Sequence, residues 1–127
     1  MEQRFISGFM YDRNEYQLVV NYFVHMLTNN FMLALSYFAE GSCYTYDYVG
    51  IQFGMNEVTK EKMAMFYDFD YEIYTELPVF LNSLKLACEI YVSEVPASKA
   101  EAIKLFRQTC ERVINNRWWE RYYEKNW

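Results

Sequence analysis

Apolar positions recur along the chain with two periods, and the switches between them divide it into elements. Leu18, Val19, Tyr22, Phe23, Met26 and Leu27 share one face of a helix. Asp12 and Glu15 precede it with capping-box spacing, Asp standing where Ser or Thr is usual. Asn29-Asn30 can interrupt the helix, Phe31 to Ala39 can form a second short one, and Gly41 is placed to end that in a left-handed turn. Within YTYDYVGIQFG, residues 44–54, the alternation of Val49, Ile51 and Phe53 predicts a strand. Gly50 and Gly54 there fit either a bulge or a turn. A loop from Asn56 to Lys62 leads to a second strand, so a hairpin is expected.

Two further helices follow in the pattern. Thr75 can cap the first, Pro78 suits its opening turn, and Phe80, Leu84, Ala87, Cys88 and Tyr91 form its buried stripe. Pro96 ends it. Ser98 and Glu101 then make a full capping box, SKAE, ahead of Ile103, Phe106, Cys110, Val113 and Ile114 on one side of the last helix. The tail, NNRWWERYYEKNW, either extends this helix or leaves it at Asn115-Asn116. No internal repeat, low-complexity segment or linker breaks the chain. The expectation is an α+β fold: a single domain over 1–127, about four helices packed on a small antiparallel sheet, with 115–127 available as a helical aromatic extension.

The polar positions raise a question in MFYDFDYEIY, residues 65–74. Met65, Tyr67, Phe69, Tyr71 and Ile73 alternate with Asp68, Asp70 and Glu72, which predicts one strand with an apolar face inward and an acid face outward. Side chains on one strand face recur about every 6.6–6.8 Å. Carboxylates in such a row repel one another and give folding no help. Their presence points to something outside the fold.

Charge along the chain sharpens that point. The net charge is −5. Residues 40–76 carry eight acids against Lys60 and Lys62, whereas residues 77–127 carry eight bases against six acids. A negative field on the middle third repels nucleic acid and speeds encounter with a cationic partner; a merely solvated face is the alternative. Hydrophobic residues make up 53% and charged ones 23%, which excludes a disordered chain. Thirteen Tyr, ten Phe and three Trp bring aromatics to 20%, and Tyr and Trp are favoured at interface cores as well as in bulky interiors. No apolar run reaches the roughly 18 residues of a membrane span, and MEQRFISGFMYDR lacks a signal-peptide layout. Cys43, Cys88 and Cys110 are odd in number and form no C-x-x-C, as expected of reduced thiols in a cytoplasmic protein.

Recognised catalytic and metal motifs are missing. The one histidine, His25, lies among apolar helix positions and reads as packed rather than catalytic. With it and three scattered cysteines, no zinc set has recognised spacing. The four glycines make neither a phosphate-cradling loop nor a dinucleotide fingerprint, and no G-x-S-x-G occurs. The Asp68, Asp70 and Glu72 row lacks the turn of a calcium loop. A facing carboxylate pair of the glycosidase kind stays open. Rings interleaved with Arg117, Arg121 and Lys125 could stack on bases, but Glu120 and Glu124 offset the charge. Trp118–Tyr122 and Trp119–Tyr123 have the i,i+4 spacing of a docking face. The expectation is therefore no catalytic residue, no metal, no cofactor, no direct nucleic-acid binding and no membrane contact.

The order GIQFG at 50–54, the acidic aromatic segment ending EIY at 72–74, and LPVFLNSLKLACEIYVSEVP at 77–96 resembles a bacterial family. It is similar to the immunity proteins of contact-dependent growth inhibition systems that neutralise ribonuclease toxins. The resemblance covers residues 44–114 and is strongest at Leu84, Ala87, Cys88, Tyr91 and Pro96, which are core and helix-ending positions. The tail after Asn116 has no counterpart. The resemblance implies an antitoxin that is not an enzyme, presenting an acidic and aromatic surface to the basic active-site region of a toxin C-terminal domain in the cytoplasm. Asp68, Asp70 and Glu72, with Asp47 and Glu76, would meet the toxin's Lys and Arg; Tyr44, Tyr46 and Tyr48 would supply buried anchors. These residues are selected on charge and alternation. The alternatives are a module for another basic protein and, behind it, a small carboxylate-dependent hydrolase. The aromatic tail could pair two copies as a homodimer.

Overall fold

A computed structural model describes residues 1–55, 58, 59 and 61–114. The chain folds as α1 (Glu2–Gly8), α2 (Gln17–Thr28), α3 (Phe31–Ala39), β1 (Gly50–Met55), β2 (Lys62–Tyr67), β3 (Glu72–Glu76), α4 (Leu77–Glu94) and α5 (Lys99–Thr109). A 3₁₀ turn (Pro96–Ser98) joins the last two helices, and a π-helical turn (Cys110–Ile114) follows α5. The architecture is α+β, with helices on one face of a three-stranded antiparallel sheet in the order β1-β2-β3. No single helix among the described residues is long and apolar enough to cross a membrane.

The helical period is realised where the apolar stripe is dense. Tyr22, Phe23 and Met26 of α2 and Phe80, Leu84, Ala87 and Cys88 of α4 are fully buried. Their rings interlock edge to face: Phe80 meets Phe38 at 5.3 Å and Phe53 at 5.0 Å. Such pairs add ~0.5–1.5 kcal/mol each beyond the area they bury. Tyr91 is half-buried and stacks on Phe31 at 4.4 Å. Between α2 and α3 the chain turns at Asn30, whose φ of 54° is left-handed. Gly41 ends α3 as expected: at φ 81° its amide bonds Phe38 O and the Ser42 amide bonds Tyr37 O, closing the last turn. The helix before Leu18 was not expected. α1 buries Phe5 against Phe23 at 5.7 Å, and Arg4 pairs with Glu94 of α4 at 3.3 Å.

The capping assignments need correction. Asp12 Oδ1 accepts from the Asn14 amide at 2.8 Å, so it caps a turn before α2, and Tyr16 occupies the N-cap itself. Thr75 is a buried strand residue whose hydroxyl donates to Ala64 O at 3.2 Å; β3 runs directly into α4 through Glu76. Ser98 Oγ turns back to Val95 O, so no capping box forms, and α5 packs through Ala102, Leu105, Phe106 and Thr109. Ile103 and Cys110 are only half-buried. The extension at 115–127, and the homodimer surface expected of it, lie outside the described residues.

The sheet carries the largest correction. β1 and β2 form the expected hairpin, with Ile51 opposite Phe66 and Phe53 opposite Ala64. The segment 65–74 is not one strand. It is the end of β2, a tight reversal at 68–71 and the start of β3, with Phe66 paired to Ile73 and Tyr67 to Glu72. Ile51, Phe53, Ala64, Phe66, Ile73 and Thr75 face the helices, leaving Gln52, Met63, Met65, Tyr67, Glu72, Tyr74 and Glu76 on the open face by strand alternation. Gly50 lies opposite Tyr67, and a Cβ there would overlap the Tyr67 ring. The glycine therefore marks neither a bulge nor a turn but a ring laid over the backbone.

Candidate functional site

The reversal at 68–71 is built by Asp68. Its Oδ1 accepts the amides of Asp70 and Tyr71, both at 2.9 Å, while its own amide donates to Tyr71 O at 2.9 Å. Asp is suited to this because its short carboxylate reaches amides two and three residues on. The chain turns there without breaking the written alternation of apolar and acidic letters. Phe69 and Tyr71, expected inside, are therefore thrown outward and stand 83% and 72% exposed.

A second turn meets this one. Tyr46 and Val49 exchange backbone hydrogen bonds, and Asp47 between them takes a left-handed φ of 40°. Asp is among the few residues that tolerate that conformation. The turn presents Tyr48, whose ring stacks on Phe69 with centroids 5.0 Å apart and planes 15° from parallel. Asp47 is thus brought to the same end of the sheet as Asp68, Asp70 and Glu72. From this stack, ring contacts continue through His25 to Tyr46, Tyr44 and Tyr37, so the tip rests on a packed aromatic column.

The expected site residues separate into three groups. Asp47, Asp70, Glu72 and Tyr48 are exposed and gathered at the tip; Asp68 is there too, half-buried and occupied by the turn. Glu76 is exposed but opposite Met63, at the far end of β3, about 13 Å away at strand spacing. Tyr46 is corrected: at 8% exposure it packs on Tyr22 at 5.6 Å, its hydroxyl has no hydrogen-bond partner among the described residues, and burial raises its pKa. It is core, not an anchor. Tyr44 is half-buried, its ring against Tyr37 at 5.2 Å and its carbonyl accepting from the Tyr22 hydroxyl. Phe69 and Tyr71 are the exposed tip residues that sequence reading missed. The signal that could have found them is an Asp followed, two and three residues on, by amides it can cap.

The electrostatics of the tip are one-sided. The ion pairs among the described residues are Arg4–Glu94 and Lys85–Glu89, both away from it. An open groove of about 550 Å³ runs beside the tip, lined by Gln52, Met65, Tyr67, Phe69, Tyr71 and the acids. Among the described residues no three His, Cys, Asp or Glu side chains converge to hold a metal ion. His25 Nδ1 donates to Asn21 O at 2.7 Å, and the ring is wedged between Tyr46 and Tyr48. Burial raises the pKa of all three thiols, that of Cys110 to about 12, which disfavours the nucleophilic thiolate. Exposed rings set among carboxylates can accept guanidinium or ammonium groups, by charge at the acids and by cation–π contact at the ring faces. Comparison with protein-family models, curated proteins and solved structures gave no match.

Proposed function

We propose that this chain is an immunity protein that binds and neutralises a ribonuclease toxin of a contact-dependent growth inhibition system. The observation that carries this reading is the Tyr48–Phe69 stack, which gathers Asp47, Asp70 and Glu72 around exposed rings with no cation paired to them among the described residues. A ribonuclease must collect Lys and Arg around its substrate phosphates. A surface of carboxylates and rings competes for those same cations, and the rings supply the desolvated centre that gives an interface its affinity. The protein acts by occupancy and catalyses nothing. Its place of action is the cytoplasm, where such a nuclease meets RNA.

The test is reconstitution with the protein encoded immediately upstream of this chain, which the reading expects to end in a basic nuclease domain. The two should purify as a complex, and equimolar chain should abolish RNA cleavage. A basic partner that is not a nuclease would replace the toxin reading with the broader one of a binding module. A nuclease that stays fully active, with no complex formed, would contradict the reading.

A further inference from the structure

The sheet has two edges, and they differ. At β1 the half-buried Cys43 side chain lies beside the Phe53 backbone. At β3 the register with β2 decides which groups point outward. Asp68 N bonds Tyr71 O at the reversal, and antiparallel pairs alternate between bonded and unbonded. Phe66–Ile73 and Ala64–Thr75 are then the bonded pairs, so the amides and carbonyls of Glu72 and Tyr74 point away from β2. Among the described residues, no backbone hydrogen bond from a turn, loop or cap reaches these two amides. Their side chains, with that of Glu76, lie on the open face of the sheet, Tyr74 62% exposed between two exposed carboxylates.

We infer that β3 receives an extended basic strand of the partner protein, added antiparallel or parallel to Glu72–Glu76, with Lys or Arg on alternate residues facing Glu72 and Glu76. This rests on the reading of the chain as a binder of a basic protein, and adds the mode of contact. The backbone supplies hydrogen bonds and the alternate acids supply selectivity. A second copy of this chain does not fit. Antiparallel self-pairing about Tyr74 would set Glu72 opposite Glu76, and like charges directly opposite are destabilising. A basic strand reverses that sign at both positions.

The probe is a short capped peptide in which Lys and Val alternate, compared with the same peptide N-methylated on its lysine amides. Methylation keeps the charge and removes the pairing. The parent peptide should bind, slow amide exchange at Glu72 and Tyr74, and outcompete its methylated form by roughly tenfold, as loss of two or three backbone bonds implies. Glu72→Gln with Glu76→Gln should weaken the parent peptide. Equal binding of both peptides with unchanged exchange at Glu72 and Tyr74, or no binding of either, would overturn strand addition. The nuclease complex is measured separately. If it forms while these two amides keep exchanging freely, the function stands and this mode fails; if peptide pairs and no nuclease binds, the reverse holds.

Discussion

Phe69, at the tip of the β2–β3 reversal, lies face to face with Tyr48 of a separate turn, 5.0 Å between ring centroids and 15° between planes. The contact joins two segments 21 positions apart in sequence and fixes where Asp47 stands relative to Asp70 and Glu72. A partly exposed ring pair of this geometry is worth ~0.5–1.5 kcal/mol. In a double-mutant cycle of Tyr48→Ala and Phe69→Ala, urea denaturation should return a coupling energy of about that size. Additive single effects would mean the two turns are positioned independently.

Asp68 differs from its neighbours in what it touches. Its carboxylate is occupied by the amides of Asp70 and Tyr71, while Asp70 itself points to solvent. Asp68→Ala should therefore destabilise the fold by ~1–3 kcal/mol, and Asp68→Asn, which keeps an acceptor oxygen, by less than ~1 kcal/mol. Asp70→Asn should leave stability unchanged within about 0.5 kcal/mol. Thermal or urea melts of the three variants give the order. Equal losses for Asp68→Ala and Asp70→Asn would contradict the assignment of the turn.

Gly50 has no room for a side chain beneath Tyr67. Gly50→Ala should cost about 1–3 kcal/mol by forcing that ring aside. Tyr67→Ala made in the same background should recover part of the loss, since it removes the obstacle. A fully stable Gly50→Ala protein would show that Tyr67 does not cover the strand.

The thiols set an alkaline limit. The pKa of Cys110 is raised from 9.0 to about 12 in the fold, and Cys43 and Cys88 shift the same way through burial. Above pH 9 the unfolded chain ionises these groups while the folded chain holds their protons, so the unfolded state is favoured as pH rises. Their contribution is fully present below pH 9 and is lost between about 9 and 12. Urea midpoints should decline steadily over that window, less steeply in Cys110→Ser. A Cys110→Ser protein with an unchanged slope would assign the decline to Tyr22 and Tyr46, which burial shifts in the same direction.

Much of this fold is legible in the letters because its apolar stripes are long. The burial of Tyr22, Phe23 and Met26 and of Phe80, Leu84 and Ala87 follows from period alone, and Gly41 follows from its freedom at positive φ. α1 was not legible, since Phe5 is its one buried residue and one residue has no period. The reversal at 68–71 was hidden for a different reason. Asp68 turns the chain while Tyr67, Phe69 and Tyr71 continue the alternation of a strand, so the letters read straight through a bend. Reading by alternation sent Phe69 inward and, in the neighbouring turn, Tyr46 outward with Tyr44 and Tyr48. The acids survived because exposure of Asp47, Asp70 and Glu72 depends little on whether they sit in a strand or at its end.

The binding of the proposed nuclease toxin to the wild-type chain and to a triple Asp47→Asn, Asp70→Asn, Glu72→Gln variant, titrated at rising salt, bears most directly on the acidic tip as a docking surface. Screening shortens from ~10 Å at 0.1 M to ~3 Å at 1 M, so wild-type association should slow steeply with salt, and the triple variant should bind more slowly at low salt and respond weakly to added salt. Equal rates and equal salt slopes for the two proteins would contradict the account.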